Sequence, residues 1–307
     1  MHLRPQRLCA VAIALALLAG CGVKESGDGD AAASIRDGWS HFSDTEYSMA
    51  MADFKRAEAL AGGDAAILQE AKFGQGLVWH VIPKPDNDPD KARAAYDAAI
   101  GLCPTNDIGA WADLWRARIA SKVSVGEYPP AEVRRAAYEE VYARHEFHPA
   151  GEEAFLCAES IKIEDDLPET ARKVRDEIEA FLVSHPDSGW RQAAYGVLVY
   201  CDDILRDADA TYEHLRLGNE SRYINPENPN ADPMLIDWKL ALVAEFDIGD
   251  FDAARRHYNA FIKRYPTHQR VYLAKLELAR MDRLEKEVVE EAAKAKSDGG
   301  HSAEGVQ

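Results

Sequence analysis

Residues 249–266 read GDFDAARRHYNAFIKRYP. Within them a small residue, Ala254, is followed four positions later by Tyr258, three after that by Phe261, and five beyond by Pro266. Steps of four and three place side chains on one face of an α-helix. A proline just past that face sits where its missing N–H costs least, at the helix end. The same pattern recurs upstream. It reads Ala50, Phe54, Ala57, then Ala92, Tyr96, Ala99, Pro104, then Ala137, Val141, Arg144, Pro149. It continues as Val174, Ile178, Phe181, Pro186, and as Ala210, His214, Leu217. The first residues fall at 50, 92, 137, 174, 210 and 254, a spacing of 36–45 residues.

Each of these helices follows another amphipathic segment. The pairs are 32–43 with 47–60, 65–80 with 89–102, 109–122 with 130–145, 151–163 with 168–184, 189–204 with 207–217, and 234–248 with 250–265. A last helix over 268–293 has no partner after it and suits a solvent-facing cap. Composition agrees. The 307 residues include 50 alanines and five threonines, rich in the best helix former and poor in a β-branched type. The expectation is an all-α chain of about six helical hairpins plus a C-terminal capping helix, over residues 34–293, with a disordered tail at 294–307. One hairpin cannot bury its apolar face alone, and stacked neighbours can.

The repeat resembles the tetratricopeptide (TPR) family. The C-terminal copy carries Trp238, Gly249-Asp250-Phe251, Ala254, Tyr258 and Pro266, and the first copy Gly38, Phe42, Tyr47, Ala50, Phe54 and Ala57. Gly196, ten residues after Pro186, takes the place of the family's small first-helix residue. Leu242, Arg144 and His214 depart from the pattern, and residues 83–88 and 125–130 lengthen two turns. The resemblance implies a right-handed α-solenoid whose concave side, lined by first helices, receives a peptide or partner helix.

The N-terminus reads as an address. Arg4 and Arg7 precede an apolar run from Leu8 to Ala19, too short to span a bilayer and the length of a signal-peptide core. Leu18-Ala19-Gly20-Cys21 resembles the lipobox of bacterial lipoproteins, which implies cleavage after residue 20 and acylation of Cys21. Two or three acyl chains anchor stably where one does not. Residues 21–33 then form a flexible tether. In the enterobacterial sorting rule an Asp after the cysteine retains the protein in the inner membrane. Gly22 therefore points to the outer membrane, facing the periplasm, with the cell surface as the alternative. Cys103, Cys157 and Cys201 show no metal-type spacing and read as small buried hydrophobes.

Lys+Arg number 36 and Asp+Glu 53, a net charge of −17, which repels nucleic acid and anionic headgroups. No Gly-x-x-x-x-Gly-Lys-Ser/Thr loop, Gly-x-Ser-x-Gly elbow or Cys-x-x-Cys occurs. His145 and His148 stand three apart, where zincins need four. Asp86, Asp88 and Asp90 begin like a calcium loop, but Lys91 holds the place that requires Gly. Adjacent acids such as Asp165-Asp166 and Asp202-Asp203 read as solvated faces. No catalytic, metal or cofactor site is expected. The tryptophans are expected mostly to pack the helix pairs. By the inner-face spacing usual in the family it resembles, Trp39, Trp190 and Tyr200 are the expected exposed anchors, with Arg36, Arg116 and Lys239 supplying charge. The reading is a non-catalytic, membrane-anchored scaffold that binds another envelope protein or peptide. The alternatives are a small-molecule-binding lipoprotein like the TRAP-transporter T-component, or an outer-membrane assembly component like BamD. A hydrolase would need a converging acid/base constellation that these motifs do not display.

Overall fold

A computed structural model of the chain describes residues 30–121, 129–221 and 236–299. The signal, Cys21 and most of the expected tether lie outside these residues, as does most of the second lengthened turn. The described residues form thirteen α-helices and no strand, and none of the helices is long and apolar enough to cross a membrane. The chain divides into two compact units, Met1–Ile161 and Lys162–Gln307.

The first unit holds α1 (Ala31–Ser43), α2 (Tyr47–Leu60), α3 (Ala65–Val81), α4 (Pro89–Leu102), α5 (Asp107–Ala120), α6 (Ala131–His145) and α7 (Pro149–Lys162). Each of α1 to α5 packs on the next, and α3 also packs on α1 and on α5. Side-chain caps fix several starts. Asp30, Asp64, Asp88 and Asn106 each accept a hydrogen bond from a backbone N–H one turn inside the helix that follows, satisfying donors the helix leaves open. The Asp86–Asp90 run is thus a turn that ends in a helix cap. Because Asp30 caps an Ala-rich start, α1 begins at Ala31, inside the expected tether.

Aromatic seats hold the hairpins together. Phe54 of α2 is fully buried, and α1 and α3 each bring a glycine against its ring. A Cβ added to Gly38 would lie 2.7 Å from its ring, and one added to Gly74 would lie 2.6 Å away. Tyr96 of α4 sits the same way on Gly76 of α3, at 2.5 Å. Around Phe54 and Tyr96, Trp39, Phe73, Leu77 and Trp115 complete one core. A second core joins Leu114, Tyr138 and Val141 to Ala150, Ala154 and Ile161 of α7.

The second unit holds α8 (Pro168–Ser184), α9 (Arg191–Leu205), α10 (Ala208–Glu220), α11 (Ile236–Leu242), α12 (Phe251–Arg264) and α13 (Arg270–Gly299). After Leu242 the chain continues as a π-helical turn over Val243–Ile248 and stops at Gly249, in the left-handed conformation. Tyr258, Phe261, Tyr265, Ala274 and Met281 form the core beneath α13. That helix runs to Gly299, past the expected end at 293. Residues 292–296 (AAKAK) are all strong helix formers, so the expected tail begins in helix.

Buried carboxylates reinforce the hairpins. Asp53 is met by His41 at 2.6 Å and by Arg56. Asp113 is met by Arg144 at 2.5 Å, Arg116 at 2.8 Å and His145 at 3.2 Å. Asp202 is met by His214 at 2.6 Å and Arg175 at 3.6 Å. Asp237 takes Arg264, and Glu245 takes Arg280 together with the Tyr258 hydroxyl. Such pairs gain little over apolar packing, but losing one partner strands a buried charge and costs about 3–5 kcal/mol.

Gly74→Ala should lower stability by about 1–3 kcal/mol through overpacking on Phe54. Gly101→Ala, on an open stretch of α4, should raise it by about 0.5–1 kcal/mol. Thermal melts compare the two signs directly. Burial, outweighing Asp113 beside it, lowers the pKa of His145, and burial also lowers that of His257. Both rings therefore bind fewer protons folded than unfolded. Their stabilising effect is full above the unfolded value of about 6.5 and is lost as pH falls below it. Melts between pH 7.5 and 5.5 should show Tm falling with pH, and falling less in His145→Gln.

Candidate functional site

The sequence singled out six side chains for partner binding, and the structure separates them. Trp39, expected at an exposed face, is 9% exposed. Its ring packs edge-on against Phe54 at 5.0 Å, and its Nε1 donates to Glu70 at 2.7 Å. The reason is the close packing of α3 on α1, which covers the face that spacing alone left open. Burial in turn raises the Glu70 pKa. Arg116 is also turned inward, held by Asp97 at 3.1 Å and by Asp113. Arg36 stands exposed on α1, and Trp190 is half-buried at the start of α9. Cys21 lies outside the described residues.

Tyr200 and Lys239 do come to one place, in the second unit. Tyr200 lies in the last turns of α9 and is 38% exposed. Its hydroxyl donates to Asp166 Oδ1 at 2.7 Å. Asp166 reaches it because the chain turns through the left-handed region there, at φ 54°, between a short 3-10 turn and α8. That hydrogen bond, partial burial, and the negative charges of Asp166, Glu164 and Asp203 push the Tyr200 pKa up to about 12. Asp203, one turn on from Tyr200, has its own pKa raised by burial and by Asp202 and Asp247, against the pull of Lys239. Leu167, Phe246 and Ile248 stand exposed beside these acids in the chain, and the Arg280 guanidinium lies 5.1 Å from the Phe246 ring centre.

The result is a surface built from the ends of successive helices. It carries Tyr200 and exposed apolar side chains, set among Glu164, Asp166, Asp203 and Asp247, with Lys239 as the nearby cation. Reasoning from sequence missed most of it. The two pairs of adjacent acids at this surface looked alike, yet both split. Asp202 is buried against His214 while Asp203 faces out. Asp165 accepts from the Leu167 N–H at 3.0 Å while Asp166 holds Tyr200. Neighbours on a helix end point about 100° apart, which is the signal that could have separated them.

His145 and His148 also diverge. His145 reaches Asp113 and His148 reaches Asp107, at 2.7 Å. Among the described residues no group of three His, Cys, Asp or Glu side chains could hold a metal ion. Cys201 is buried, and Cys103 and Cys157 are half-buried.

No family model matches the chain, and no curated protein matches it. Solved structures do. One is a chain of the APC/C hetero-tetramer Cut9-Hcn1, at 14% identity and a TM-score of 0.51, covering 82% of this chain and 43% of that one. Another is PilF of Pseudomonas aeruginosa, at 14% identity and a TM-score of 0.50, covering 82% of this chain and 96% of that one. The chain thus spans less than half the length of the first. At this identity the likeness is one of fold, and the fold it gives is all-α and TPR-like.

Proposed function

We propose that this protein is a non-catalytic scaffold, anchored by lipid at Cys21 to the bacterial envelope, that binds another protein or peptide through the Tyr200 face. The observation that carries the reading is that face itself. An aromatic ring with its hydroxyl already bonded offers contact area at small entropic cost. The surrounding carboxylates give the surface a sign. A segment rich in Lys or Arg with one or two apolar side chains is the complement, since matched charge steers encounter and fixes register. The TPR-like fold supports a protein partner as the kind of ligand. The Leu18-to-Cys21 motif supports the anchor, and Gly22 supports the outer membrane, facing the periplasm. Anchoring would raise the effective concentration of the partner at the membrane without new contacts.

Two measurements test this. Tyr200→Ala with Asp203→Lys should weaken capture of the envelope partner about tenfold, while the far-UV spectrum stays helical and Arg36→Ala changes nothing. Undiminished capture removes this face from the account. Separately, Cys21→Ser should move the protein from the membrane fraction to the soluble one, and continued membrane association would rule out the lipid anchor.

A further inference from the structure

In the first unit the starts of α1, α3, α5 and α7 lie at one end, together with the ends of α2, α4 and α6. Arg56, near the end of α2, donates to Ser34 in the first turn of α1 at 3.0 Å. Gln69, early in α3, donates to the Cys103 carbonyl at 2.6 Å and to Asn106 at 3.0 Å, where α4 ends and α5 begins. His148, just before α7, meets Asp107 at the start of α5 at 2.7 Å. Three connections form this end, residues 61–64, 103–106 and 146–148.

Each connection has an exposed apolar side chain beside it or within it. Leu60 closes α2 at 43% exposure, Leu102 closes α4 at 40%, and Phe147 follows α6 at 75%. Charge is sparse there. Residues 61–64 (AGGD) and 103–106 (CPTN) contain one charged side chain, Asp64, which caps α3. At the opposite end, residues 44–46 (DTE) and 82–88 (IPKPDND) contain five, Asp44, Glu46, Lys84, Asp86 and Asp88. The third connection adds Glu146 and His148, and none of the three contains Lys or Arg.

The anchor enters at this same end. Nine residues, 22–30, separate Cys21 from α1. Fully extended they reach about 30 Å, so the start of α1 stays within that distance of a bilayer that holds acyl chains on Cys21. The opposite end of the unit lies a helix length further, about 26 Å for the 17 residues of α3. Apolar side chains enter the boundary between headgroups and acyl chains in proportion to their buried area, while attraction to anionic lipids needs cations. We propose that the end of the first unit bearing Leu60, Leu102 and Phe147 rests on the zwitterionic surface of the membrane, with the helices of that unit rising from it. The proposal rests on the lipid anchor at Cys21 and is independent of the Tyr200 face.

The lipidated chain in vesicles of phosphatidylethanolamine and phosphatidylcholine tests this. A photoreactive diazirine side chain takes the place of Leu60, Leu102 or Phe147, or of Met49 as the control, which is 51% exposed at the opposite end. Flotation with the vesicles reports the anchor, and lipid adducts found by mass after irradiation report the face. Positions 60, 102 and 147 should form adducts about tenfold more often than position 49. Leu60→Asp with Phe147→Asp should cut the adducts at position 102 about tenfold, with flotation and helicity unchanged. A chain that floats but labels lipid equally at both ends, or at neither, overturns the membrane face and leaves the anchor standing. A chain that does not float overturns the anchor, and the face with it. In whole envelopes, adducts to a protein in place of lipid also overturn the proposal.

Discussion

The first unit depends on one steric arrangement, a large ring from a second helix lying against first-helix backbone that carries no Cβ. Phe54 is closed in by Gly38 and Gly74, and Tyr96 by Gly76. Helices normally stay 8–10 Å apart because side chains separate them. Removing the Cβ lets the ring itself become the spacer, so that one aromatic sets the distance between three helices at once. Close packing of α3 on α1 and α5 follows from this, and with it the burial of Trp39.

Polar groups add direction to that packing. Each buried carboxylate takes its partners from elsewhere in its own unit, as Asp113 does from α6. An apolar core tolerates many arrangements. A carboxylate that must meet a particular Arg or His tolerates few, and misplaced hairpins would leave it charged and alone. The same logic leaves surplus acids outside. With Asp202 and Asp237 paired within, Asp166, Asp203 and Asp247 remain to give the outer surface its negative sign.

Much of the fold was legible because the information is local. Steps of three and four, alanines at close approaches, Asp or Asn at helix starts and Pro past helix ends located the helices within a few residues. What was not legible is non-local. Arg144 and His214 looked like faults in the repeat, since apolar residues belong there. Each is the partner of a buried acid, Asp113 and Asp202, that nothing in the linear pattern marks as buried. Trp39 looked exposed for the same reason, because spacing within α1 says nothing about α3. At the candidate site Tyr200 and Lys239 were legible as first-helix residues. Asp166, Asp203 and Phe246 were not, because turn geometry brings them there rather than periodicity.

The central claim is the ring wedged between two glycines, and nuclear magnetic resonance on the labelled chain tests it most directly. Ring currents from Phe54 should move the α-protons of both Gly38 and Gly74 well upfield, with cross-relaxation from the ring to both. Ordinary glycine shifts at either residue, or contact with only one of them, would contradict the account.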